Sequence, residues 1–257
     1  MRTHKSLKTA ALSLGSLGVG LILAACNSPS PSSAPSPAPA AGSSPTTSAS
    51  AGAGTSASAA TGAGLTQATA TTLANPTPDT PADLAERLQQ GGLVIVHRYT
   101  GATRPGNPDP APEGFIDDGQ RISEQSVERM RALGQQYEAL GIPVNEALSS
   151  EYYFVYQHAS EAMGVIGQEV TVNRDLTGSL NFQDPNELEE SLQGLRNRTV
   201  TAPPAGTNTV LFTHQGKFDK AWGYYPDAGW TLVFSPDGTG EPQVIASLPL
   251  DEFLALG

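Results

Sequence analysis

Two imidazoles stand where a long apolar run gives way to polar sequence. In LVIVHRY, Leu93 to Tyr99, four apolar residues lead into His97 and Arg98, and in TNTVLFTH, Thr207 to His214, a second run leads into His214. An imidazole can carry a proton, attack an electrophile or ligate a metal, and a guanidinium grips paired oxygens of an oxyanion. His158 supplies a third imidazole, and three His around an open position is a catalytic zinc arrangement. No His-x-His or His-x-x-x-His spacing supports a metal here, so neither a metal nor a cofactor is expected. Ser149-Ser150 lacks the Gly-x-Ser-x-Gly elbow of a serine hydrolase.

The elements that must position these residues follow from periodicity. Thr80-Pro81-Ala82-Asp83 opens a helix with an N-cap hydroxyl and an early Pro, and Gly91-Gly92 ends it. Leu93 to Val96 then reads as a strand buried on both faces, the pattern of a covered parallel sheet. Thr100 to Gln120 is a loop rich in Pro and Gly. Val127, Met130, Leu133 and Tyr137 recur at helical spacing within Ser123 to Leu140. Further helices are expected over Glu151 to Met163, Pro185 to Arg196, Phe218 to Tyr224 and Asp251 to Leu256. Strands are expected over Val144 to Leu148, Thr207 to Thr213, Trp230 to Phe234 and Gln243 to Leu248. Strands alternating with helices give an α/β fold, a three-layer α/β/α sandwich with a mostly parallel central sheet. Sites in such folds form beyond the carboxyl ends of the strands, where His97 and His214 stand.

Ahead of this domain the chain has a different character. Arg2, Lys5 and Lys8 precede an apolar stretch that ends in Leu-Ala-Ala-Cys at Leu23 to Cys26. Basic, apolar and small residues in that order mark an export signal over residues 1–26, too short and interrupted for a permanent membrane span. The tetrapeptide resembles a bacterial lipobox, which implies a lipid on Cys26 and a protein anchored to the outer face of a bacterial membrane. Cys26 is the one Cys of the chain, so no internal disulfide is expected. Of the 50 residues from 27 to 76, 45 are Ala, Ser, Pro, Thr or Gly and none is charged. Such a segment buries too little apolar surface to order itself, and as a flexible tether it would span about 40 Å end to end. Residues 77–257 carry all 25 acidic and 11 of the 14 basic residues, a formal charge of −14. That charge argues against nucleic acid or an anionic lipid surface as partner.

Within the domain, LVIVHRY, IDDGQRISEQS (Ile116 to Ser126), ALGIPVNEALSSEYYFVYQHASEAMG (Ala139 to Gly164) and TVLFTHQGKFDKAWG (Thr209 to Gly223) form an ordered series. In order and spacing they resemble the histidine phosphatase superfamily, the phosphoglycerate-mutase-like fold, across Leu84 to Leu256. There a buried strand leads into Arg-His-Gly, a later strand into "Ser-Ser-Pro-x-x-Arg" and a last one into "Gly-His-Gly". The resemblance implies a phosphomonoesterase: one His attacks phosphorus, two Arg and a second His surround the phosphate, and a carboxyl group protonates the leaving alcohol. It implies His97 and His214 as catalytic residues, Arg98 and Arg121 as phosphate-binding residues, and a phosphorylated small molecule or other anion as ligand. Glu151 and Glu161 are candidates for the proton donor.

The sequence departs from that pattern at three positions. Arg-His is reversed to His97-Arg98, so Arg98 occupies the nucleophile's place and His97 that of the clamp. Phe154 stands where the second Arg is expected, and Tyr99 where the Gly is. Neighbours on an extended backbone leave it in opposite directions, so exchanging them does not exchange their roles unless a bulge re-aims the chain. Two functions stay open: a phosphomonoesterase working through His97 or His214, and a degenerate relative that binds an anionic ligand or a protein without turnover.

Overall fold

The computed structural model describes residues 64–73 and 79–257. The export signal, Cys26 and the tether up to residue 63 lie outside the described residues. In chain order the elements are α1 (Leu84–Gln90), β1 (Val94–Arg98), β2 (Ala102–Thr103), β3 (Arg121–Ile122), α2 (Glu124–Leu140), β4 (Val144–Ser149), α3 (Tyr153–Met163), β5 (Val170–Val172), α4 (Pro185–Val200), β6 (Asn208–Thr213), α5 (Gln215–Trp222), β7 (Trp230–Phe234), β8 (Val244–Pro249) and α6 (Leu250–Phe253). Three 3₁₀ turns fill much of the stretch between α3 and α4.

Six strands build one sheet in the order β5-β4-β6-β1-β7-β8, with β7 alone running against the others. The two apolar runs, β1 and β6, are neighbours at its centre, paired from Val94↔Thr209 to Arg98↔Thr213. Their continuous hydrophobicity is explained by cover on both sides. Ile95, Val210 and Phe212 pack under α1, α2, α3 and α6 through residues such as Leu88, Leu133, Val155 and Phe253. Val94, Val96 and Leu211 pack under α4 and α5 through Leu192, Leu195, Phe218 and Trp222. The expected three-layer sandwich is therefore the observed one, and β2 and β3 pair separately at the base of the loop that precedes α2.

Local caps decide where the helices begin. Ser123 caps α2 by accepting from the Ser126 N–H, and Gly141 ends the helix in the left-handed region at φ 63°. The first helix begins later than the sequence suggests: Thr80 Oγ1 donates to Glu252 Oε2 at 2.9 Å, and Asp83 takes the N-cap position without a side-chain cap bond. On the other side of the sheet, α5 starts directly after His214, three residues before the expected Phe218.

Residues 64–73 differ from the tether expected for them. They lie against the domain as an extended strap held by polar contacts: Thr66 N–H donates to Thr201 Oγ1 at 2.7 Å, Ala68 N–H to Asn197 Oδ1 at 2.8 Å and Thr69 N–H to the Gly240 carbonyl at 2.9 Å. Leu73 packs on the α4–α5 side of the core. Composition missed this strap because its backbone donors meet acceptors supplied by the domain, an ordering that needs little apolar burial of its own.

One buried side chain ties the start of the sheet together. Asn208 accepts from the Leu93 N–H at 3.2 Å and donates to the Leu88 and Pro143 carbonyls at 2.8 and 2.9 Å. Asn208→Ala leaves the Leu93 N–H and the Leu88 carbonyl without this side-chain partner, while the Pro143 carbonyl keeps the backbone N–H of residue 208, and is expected to lower the free energy of unfolding by about 2–4 kcal/mol in denaturant titrations.

Candidate ligand-binding site

His97 and Arg98 both belong to β1, with no break in register on either side of it. The pleat therefore sends them to opposite faces. His97 follows Ile95 onto the α2–α6 side, where it is 3% exposed and packs among the Tyr137, Phe212 and Phe253 rings. Its Nδ1 lies 2.8 Å from Thr231 Oγ1 and its Nε2 2.9 Å from Tyr137 Oη. Hydroxyls can donate or accept, so a neutral imidazole is fully satisfied there. Burial lowers its pKa to about 3. The expected nucleophile is thus a core histidine. The bulge that could have re-aimed it is absent from β1.

His214 sits at the carboxyl end of β6, as the sequence implies. Its Nε2 is 2.9 Å from Ser150 Oγ, at the end of β4. Tyr99, Tyr152 and Phe154 surround its ring edge-to-face, with centroids 5.6, 5.1 and 5.7 Å away. Burial first, then the positive charge of Lys217, lowers its pKa to about 3. Lys217 is itself buried one turn along α5, its Nζ bonded to Ser191 Oγ and 4.7 Å over the Phe182 ring, and burial lowers its pKa to about 8.

Outside this aromatic box lies a cavity of about 250 Å³. Its wall includes Tyr99, Tyr152, Phe154 and His214, with Asp118 and Gln120 from the long loop, Gly178 to Leu180 from the 3₁₀ region, the first turn of α5, and Tyr225. Gly178 packs closely on the imidazole: a Cβ there would stand 3.3 Å from His214 Nδ1. Leu180 is 91% exposed at the rim. Asp118 is held by Arg104 at 3.2 Å and by the Gln120 side chain and N–H, so its charge is partly answered.

Arg98 lies beside the cavity but off its lining, its guanidinium 5.3 Å over the ring of Tyr99, which does line it, and within electrostatic reach of Tyr225 and Asp227. The guanidinium makes no hydrogen bond or ion pair with any described residue, and its Nε is shut off from solvent without a partner. Burial lowers its pKa. Gln215 Oε1, on the cavity wall, is likewise buried and unpartnered, while Gln215 Nε2 donates to Tyr225 Oη.

Arg121, expected beside Arg98, is elsewhere. It grips Asp117 with both terminal nitrogens at 2.8 and 2.9 Å, donates to the Asp109 and Gln120 carbonyls, and covers the Tyr153 ring at 5.2 Å. Asp117 also accepts from the Ala111 and Gly119 N–H groups, and the Arg121 bond first, then these, hold its carboxyl far below the usual range. The pair clasps the loop and commits both terminal nitrogens of the guanidinium to it. Glu151 is bonded to Thr177 at 2.9 Å and Glu161 to Arg131 at 2.8 Å, both off the cavity wall. His158 is buried between the Phe154 and Gly101 carbonyls at 2.7 and 3.1 Å. No group of His, Cys, Asp and Glu among the described residues could hold a metal ion.

Of the expected site residues the structure thus brings together His214 and Arg98, and separates His97 and Arg121 from them. Sequence reasoning passed over Tyr152, Asp118, Leu180, Gln215 and Tyr225. Only Tyr152 carried a signal, as the second residue after the Ser150 strand end; Leu180 and Tyr225 lie in irregular segments that have no period to read.

No family model matches the chain, and no curated protein matches it. Solved structures similar to it include the protein histidine phosphatase SixA complexed with tungstate, at 13% identity and TM-score 0.43 over 62% of this chain and 98% of that one. Others are the alpha-ribazole phosphatase from Shigella flexneri, at 11% and 0.42 over 60% and 95%, and a mycobacterial glucosyl-3-phosphoglycerate phosphatase with inorganic phosphate, at 12% and 0.40 over 62% and 99%.

Buried neutral imidazoles have a cost in acid. An unfolded chain binds a proton on His97 near pH 6.5, whereas the folded ring resists it until about pH 3. The stabilising contribution is complete above pH 6.5 and is lost as pH falls through that window. Between pH 7 and pH 5, His97→Phe is expected to lose about 2 kcal/mol less unfolding free energy than the wild type, measured by denaturant titration at both pH values.

Proposed function

We propose that this domain is a histidine-phosphatase-like binding module that holds a small anionic ligand at the cavity beside His214 and does not transfer phosphoryl groups. The observation that carries the reading is the placement of His97 in the core, both ring nitrogens bonded to protein hydroxyls. A phosphohistidine needs an imidazole nitrogen facing the ligand and cations around the transferring group. His214 is the one imidazole on the cavity wall among the described residues, it sits among aromatic rings, and Phe154 contributes a hydrocarbon ring where a second guanidinium would clamp phosphate. The unpaired Arg98 supports an anion as ligand, because a half-buried guanidinium without a partner is costly until something negative meets it.

The full chain, assayed with 4-nitrophenyl phosphate and a panel of simple phosphate monoesters from pH 5 to 8 with chelator present, is expected to give no turnover above a heat-inactivated control. It is also expected to yield no acid-labile phosphoprotein on rapid quench. Phosphate trapped on His214, or turnover lost in His214→Ala, would reject the reading in favour of a phosphomonoesterase.

Export and lipid anchoring are part of the same proposal, supported by the Leu23 to Cys26 tetrapeptide. No helix among the described residues is long and apolar enough to cross a membrane. Cys26→Ser is expected to move the protein from the membrane pellet to the soluble fraction, followed by immunoblot.

A further inference from the structure

Resting on the reading that the cavity binds an anion without turnover, we infer that its ligand is a small monocarboxylate with an apolar body: the carboxylate meets Arg98 and the body lies against Tyr99, Tyr152, Phe154 and Leu180.

Charge sets the head group. Arg98, its buried Nε without a partner among the described residues, lies beside the cavity over the Tyr99 ring, and the imidazole on the cavity wall is neutral because burial keeps His214 from protonating. Asp118 also lines the cavity, with Arg104 as its partner at 3.2 Å, and the surrounding domain carries a formal charge of −14. Lys217 Nζ is bonded to Ser191 Oγ and lies off the cavity lining, which among the described residues leaves Arg98 to balance one negative charge. A phosphate monoester, with nearly two charges at neutral pH, would bring one into a region that already holds a carboxylate, and water exclusion makes that repulsion larger. A cation would meet the guanidinium, and a neutral ligand would leave it without a partner. A planar carboxylate also matches the guanidinium fork, which delivers two parallel hydrogen bonds to paired oxygens.

Shape and lining set the body. A cavity of about 250 Å³ is at the small end for an organic ligand, with room for one ring or a short chain beyond the head group. Three of the four wall residues named are aromatic, and rings of this kind receive flat or aliphatic groups by edge and face contact. Leu180 explains itself in this arrangement. An almost fully exposed Leu at a cavity rim is unfavourable in water, and it becomes a cover once an apolar group lies beneath it. Gln215 Oε1, buried on the same wall with no partner, can accept from a hydroxyl or amine on that body.

The test is calorimetric titration of the full chain with benzoate, phenylacetate, hexanoate, phenyl phosphate, benzyl alcohol and benzylamine, at pH 7.5 and fixed salt. At least one carboxylate is expected to bind, roughly tenfold or more tighter than phenyl phosphate, with the alcohol and the amine weaker still. Arg98→Met keeps the side-chain length and removes no hydrogen bond within the protein, so thermal unfolding should hold while carboxylate affinity falls roughly ten- to a hundredfold. Leu180→Asp changes an exposed residue, so it leaves the fold intact and is expected to weaken the same carboxylate by placing a second charge at the rim. If phenyl phosphate binds as tightly as the best carboxylate and is not hydrolysed, the carboxylate inference is overturned and non-catalytic anion binding stands. If phenyl phosphate is hydrolysed, both are overturned. Binding by no carboxylate of the three, or carboxylate binding indifferent to Arg98→Met, also overturns the inference.

Discussion

The pleat of β1 is the constraint on which the site depends. Successive side chains of a strand leave it on opposite faces, and β1 lies between β6 and β7 with its register continuous from Val94 to its end. Its residues therefore cannot rotate to suit a ligand. Whatever occupies position 97 enters the layer beneath α2 and α6, and whatever occupies position 98 goes to the other side. With His at 97 and Arg at 98, the imidazole is delivered to a core pocket built from Tyr137, Thr231, Phe212 and Phe253, and the guanidinium to a place over the Tyr99 ring, beside the cavity. Exchanging two neighbours in the sequence has the same effect on their side chains as slipping the strand by one residue.

From that placement the chemistry of the cavity follows. Tyr99 and Phe154, one at the end of β1 and one in the first turn of α3, meet edge-to-face at 5.0 Å and close with Tyr152 around His214. Rings fill the space beside His214, where phosphate transfer would need guanidinium groups. The imidazole they enclose is desolvated and stays neutral, fixed by Ser150. Stability and function are thus divided between the two imidazoles at the strand ends: His97 completes a core layer, and His214 forms part of a wall. Arg98 remains a charged group with no hydrogen-bond or ion-pair partner for its guanidinium among the described residues.

Much of this architecture is legible in the sequence, for a physical reason. Residues buried on both faces write continuous apolar runs, as in β1 and β6, and half-buried helices write a 3.6-residue period, as Met130, Leu133 and Tyr137 do in α2. The location of a site at the ends of β1 and β6 follows from the same runs. The direction of His97 is less legible, because it depends on whether the strand continues through residues 97 and 98 or ends before them. That is decided by pairing with Phe212 and Thr231, both distant in sequence. Arg121 shows the complementary limit. Asp117, four residues before it, offers a bidentate partner already in reach, and local geometry wins over a more distant pocket. The strap at residues 64–73 is invisible to composition because its order comes from Asn197, Thr201 and Gly240.

The central claim is that the imidazole of His97 belongs to the core while its neighbour Arg98 belongs to the site. The most direct measurement is the pH titration of the individual imidazole signals by nitrogen-correlated NMR, assigned by single His variants. The account predicts that His97 keeps one neutral tautomer from pH 8 down to pH 5, unaffected by added anions. A His97 signal that titrates near its ordinary value of 6.5, or that shifts when an anion is added, would contradict it.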